Sequence, residues 1–65
     1  MRYKTFDVDS MDGTQRHIVI ETAPDTFTSF PALVDNAAYE SFLESQSLTD
    51  AEVQAIEPDI WHDMA

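Results

Sequence analysis

Between Tyr3 and Thr22 the chain reads as two runs of alternating apolar and polar residues, separated by Asp12-Gly13. Period-two alternation either side of Asp-Gly predicts an antiparallel β-hairpin. Two registers compete. A two-residue Asp12-Gly13 loop would set Phe6 against Val19 and Asp7 against Ile18, which scatters apolar groups over both faces. A three-residue loop, Met11-Asp12-Gly13, sets Phe6 against Ile18 and Val8 against Arg16. It gathers Phe6, Val8, Ile18 and Ile20 on one face and leaves Tyr3, Thr5, Asp7, His17, Val19 and Glu21 on the other. A one-residue slip moves every side chain to the opposite face, so burial should select the second register.

After Thr22 the alternation stops at Ala23-Pro24-Asp25. Thr26 to Phe30 fits either a short third strand or an extended connection. The pattern then changes to helical spacing. Tyr39, Phe42 and Leu43 fall at i, i+3 and i+4, in a helix expected from about Asn36 to Ser45. Asp35 is the expected N-cap, with Val34 and Tyr39 as a hydrophobic staple. A second helix is marked by the capping box Thr49-Asp50-Ala51-Glu52, with Leu48 and Val53 as its staple. Val53 and Ile56 should face inward, and Pro58 should end the helix near Glu57. The expected architecture is α+β: an N-terminal hairpin, with a possible short third strand, covered on one face by two C-terminal helices.

The 65 residues make one small acidic domain, close to the size at which burial alone is marginal for folding. Hydrophobic residues make up 43% and seven are aromatic, which argues for a packed core over an acidic disordered tail. No cysteine is present to staple the fold, so packing or association must supply the stability. No apolar run approaches the roughly 20 residues of a membrane span, and the expectation is a soluble, cytoplasmic chain.

Charge changes the picture most. Arg2, Lys4 and Arg16 are the only Lys or Arg residues, and Asp7, Asp9 and Asp12 match them in number. From Ile18 onward no Lys or Arg occurs, and the whole formal charge of −10 lies there. Glu40 and Glu44 stand i, i+4 on the first helix, a like-charge pair that costs about 0.2–0.5 kcal/mol. Asp50 and Glu52 suit a helix N-terminus. Glu57, Asp59 and Asp63 have no such local reason.

Catalytic and metal chemistry find little support. Counting Asp7 as the first position of a calcium loop puts Asp12 where glycine is required and Ile18 where the bidentate glutamate belongs. His17 and His62 lie on different elements without metal-binding spacing, and His17 falls opposite Asp7 in the expected register. A serine hydrolase needs a glycine-rich oxyanion nest, and the single glycine belongs to the hairpin. The expectation is therefore no enzyme, no cofactor and no metal site. Three basic residues also disfavour direct nucleic-acid binding.

What remains is an interaction module that meets a basic protein, one that handles nucleic acid, and inhibits or regulates it, as a nucleic-acid mimic does. The residues expected to bind that partner are Glu40, Glu44, Asp50, Glu52, Glu57, Asp59, Trp61 and Asp63. The rival reading is a structural subunit or homo-oligomer that buries apolar surface around Trp61 and Tyr3. In that reading the charge serves solubility or adaptation to salt. No family resemblance is close enough to carry functional residues over to this sequence.

Overall fold

The computed structural model describes all 65 residues. It has an α+β architecture of a four-stranded antiparallel sheet and two short helices. The strands are β1 (Arg2–Ser10), β2 (Gly13–Ala23), β3 (Thr26–Pro31) and β4 (His62–Asp63), in the order β3-β2-β1-β4. The helices are α1 (Ala37–Gln46) and α2 (Asp50–Ala55). Thr26 to Pro31 is a true strand, and the C-terminal β4 pairs with the first residues of β1.

The hairpin forms where Asp-Gly marks it, but in a third register. Ser10 pairs with Gly13, Thr5 with Ile18 and Phe6 with His17, so Met11 and Asp12 are the turn residues. Gly13 takes the positive φ, +117°, that a side chain would resist. Ile18 and Ile20 therefore share a face with Tyr3 and Thr5, and Phe6 and Val8 turn the other way. Apolar groups within the hairpin alone do not decide between the registers. The deciding contacts come from later in the chain. Phe30 sits beside Ile18 on β3, and Phe42 meets Tyr3 edge-on at 5.0 Å between ring centroids. The same shift places His17 opposite Phe6, with the two rings stacked at 5.4 Å, and sets Arg16 opposite Asp7.

The core is Tyr3, Ile18, Phe30, Ala32, Tyr39, Phe42 and Val53. Ile20, Leu43, Leu48, Ile56 and Met64 pack around it. Thr5 is fully buried in the same region, and its hydroxyl has no hydrogen-bond partner. At the β2–β3 turn, Pro24 precedes Asp25 at φ +63°, the type II arrangement that proline at the second position favours.

Helix ends follow side-chain chemistry. Asn36, not Asp35, caps α1, its Oδ1 accepting from the Tyr39 N–H at 3.1 Å. Both residues are good caps by type, and a cap one residue later leaves Val34 exposed, so the expected Val34–Tyr39 staple does not form. The other end of α1 closes with Leu48 N–H donating to Leu43 O and Ser47 N–H to Glu44 O, a Schellman motif. Ser47 occupies the left-handed position at φ +54° that glycine usually fills. In α2 the Thr49–Glu52 capping box is complete in both directions. Val53 is fully buried and Ile56 partly so.

Candidate interaction surfaces

Each basic side chain has a specific task. Arg16 rises from β2 on the core face and reaches the end of α2. Its Nη1 donates to the carbonyls of Val53, Gln54 and Ile56 at 3.2, 3.3 and 2.5 Å. Its Nε and Nη2 hold both oxygens of Asp7 at 2.9 and 3.3 Å. A helix C-terminus leaves its last carbonyls without partners, and a cation there satisfies them and opposes the helix dipole. Arg16 thus fastens α2 to the hairpin and is not available to a ligand.

Arg2 holds Glu21 at 3.0 Å across the β1–β2 pair. It also lies 4.4 Å from the centre of the Trp61 ring, and Lys4 lies 5.1 Å from it. Lys4 makes no ion pair. The notional matching of Arg2, Lys4 and Arg16 with Asp7, Asp9 and Asp12 therefore holds for Arg16 and Asp7 alone. Asp9 accepts instead from the Thr14 hydroxyl at 3.0 Å.

The eight residues expected to meet a partner separate into three groups. Asp50 and Glu52 have structural tasks. Asp50 accepts the Tyr39 phenol at 2.6 Å and Gln54 Nε2 at 3.3 Å, and Glu52 completes the capping box through its Oε1. Burial first, then the bond to the Asp50 carboxylate, pushes the Tyr39 phenol up to about 12. Glu40, Glu44, Glu57 and Asp59 are exposed, and none makes an ion pair or a side-chain hydrogen bond. They form an acidic surface on and after the two helices.

Trp61 and Asp63 belong to a different place. Alternation along β1 and its pairing with β2, β3 and β4 set Arg2, Lys4, Phe6 and Val8 on the face away from Tyr3. His17, Val19, Glu21 and Phe27 share that face, joined by Trp61 beside Lys4. The Trp61 and Phe27 rings stand 6.4 Å apart, tilted across the intervening strands. Tyr3, paired with Trp61 in the assembly reading, is buried in the core on the opposite side. Nothing local in the sequence marks this aromatic face, because it depends on the hairpin register and on the return of the C-terminal segment to β1.

Charge divides along the same line. On the Trp61 face Arg2 and Lys4 offset Glu21 and Asp63, so the entire formal charge of −10 is carried by the rest of the molecule. No helix is long and apolar enough to cross a membrane. No protein-family model matches the chain, and neither a curated protein nor a solved structure matches it.

Proposed function

We propose that the chain is a small acidic interaction module that binds a basic protein surface through its helical side. The reading takes α1 and α2 as a layer over the Tyr3 face of the sheet. Contacts from Tyr39, Phe42 and Val53 to the core support that arrangement. The observation that carries the proposal is the division of charge. The exposed carboxylates on and after the helices lack counter-charges, while every basic residue has a task in the sheet. Such a surface raises the rate at which a basic partner is found and sets its orientation.

The partner class that fits best is a protein with a phosphate-binding surface, working in the cytoplasm. An array of carboxylates occupying that surface would compete with nucleic acid and so inhibit or regulate the protein. Glu40, Glu44, Glu57 and Asp59 are the residues proposed to meet it. Asp50 and Glu52 contribute to the field while holding the helix.

The test is capture from the native host at about 50 and 500 mM salt, a range over which screening sharpens markedly, using the parent chain and a Glu40→Gln/Glu44→Gln variant. Supporting results are a captured basic protein that is lost at high salt, is weakened by the variant, and is released by added nucleic acid. A captured set insensitive to salt and to the variant would refute the proposal.

A further inference from the structure

We propose that the open Trp61 face of the sheet is a homodimer interface, so that two copies join face to face and turn their acidic helical sides outward. The inference is independent of the identity of the basic partner.

Three observations support it. The face is uncovered and carries apolar side chains between its charged ones: Phe27 is 54% and Val8 40% exposed, and Phe6, Val19 and Trp61 are each only partly buried. Exposed aromatic and aliphatic side chains gathered on one face of so small a chain are a natural seat for a partner. Its charge is self-complementary. Lys4 has no ion-pair partner in its own chain, and an opposed copy brings an unpaired Asp63 to the same interface. Finally, this is the face on which charge sums to zero, so it is where two copies carrying −10 each can approach with least repulsion. A basic partner is drawn to the carboxylates elsewhere. Nucleic acid meets a repulsive overall field and no net positive charge on the face.

The area suits a weak dimer. Strands of nine, eleven, six and two residues cover roughly 450 Å² per copy at about 3.3 Å per residue and 4.8 Å per strand. Two copies would bury roughly 900 Å², the size of a weak or transient association.

Sedimentation equilibrium and light scattering across about 5 µM to 1 mM chain, at about 50 and 500 mM salt, test the proposal; this interval spans weak screening to a Debye length below 5 Å. A species of twice the 7.4 kDa chain should form. It should tighten as salt rises, because screening relieves repulsion between the two acidic bodies. The emission of Trp61, the single tryptophan, should shift to the blue as it forms. Phe27→Glu and Val8→Glu, at opposite ends of the face, should each weaken the dimer at least tenfold while keeping the parent's circular dichroism. Val8→Glu alone remains a test if Phe27→Glu impairs folding. Glu40→Gln/Glu44→Gln should leave the dimer intact, which separates this proposal from the acidic-surface reading. A chain that stays monomeric to 1 mM in 500 mM salt overturns it. So does a dimer that survives both glutamate variants, as pairing along the β3 edge would. Open-ended polymers that dissolve in salt would overturn it as well, since they would mean that the helical side of one copy packs on the open face of the next.

Discussion

Removing the Arg16 guanidinium should cost this domain half or more of its stability. The Arg16 side chain is only 13% exposed and connects β2 to the carbonyl end of α2 and to Asp7. Hydrogen bonds from a charged donor contribute about 1.5–3 kcal/mol each, and relief of the helix dipole adds about 0.3–1 kcal/mol. One Nη cannot serve three carbonyls at full strength, so two effective bonds are a fair count, and Arg16→Met should destabilise by about 3–7 kcal/mol. The Asp7 carboxylate is a third exposed, so the ion pair itself contributes about 0–1 kcal/mol. Asp7→Asn should therefore cost under about 1 kcal/mol, because the guanidinium still caps the helix. Marginal stability of about 0.05–0.15 kcal/mol per residue gives the 65 residues roughly 3–10 kcal/mol in total. Urea unfolding followed by circular dichroism separates the two variants, with Arg16→Met close to unfolded in buffer and Asp7→Asn near the parent. Equal losses near 1 kcal/mol would refute the claim that Arg16 acts chiefly as the cap of α2.

Thr5→Val should raise stability by about 1 kcal/mol, since it replaces a buried hydroxyl that has no partner, and thermal unfolding measures it. Thr49→Ala should cost about 0.5–2 kcal/mol and Thr49→Asp far less, and denaturant midpoints show whether the capping box holds α2. Tyr39 keeps its proton more tightly folded than unfolded, so its contribution is complete below pH 10 and lost as pH rises to about 12. The loss should reach about 1–2 kcal/mol and shrink in Tyr39→Phe, read from unfolding free energy against pH. Screening of unpaired carboxylates should raise the melting temperature between about 10 and 500 mM salt, and a flat response would mean that the charges are too dispersed to matter.

Much of the local chemistry was legible in the sequence. The Thr49–Glu52 box needs only four residues, and its geometry is as the sequence implies. The Tyr39 and Phe42 stripe was legible because helical spacing is local too. The hairpin register was not. Phe6 and Val8 offer as much apolar surface as Tyr3 and Thr5, and the choice between them rests with Phe30 and Phe42, 20 or more residues away. The Schellman end of α1 was hidden because serine fills a place where glycine would have announced it. The pairing of β4 with β1 involves two residues and has no periodicity to detect. Among the residues proposed to meet a partner, Glu40, Glu44, Glu57 and Asp59 were legible as exposed charge. That Asp50 was committed to Tyr39 was not, because the bond joins two helices through a tertiary contact.

The central claim is that the helical side meets a basic partner through long-range charge. The most direct measurement is the association rate with such a partner at about 20 and 300 mM salt, for the parent and for Glu40→Gln/Glu44→Gln. At about 10 Å in water each removed charge is worth about 0.4 kcal/mol, so the variant should associate about 3–5-fold more slowly at low salt. The two rates should converge at high salt, with little change in dissociation. Equal association rates at low salt would contradict the account.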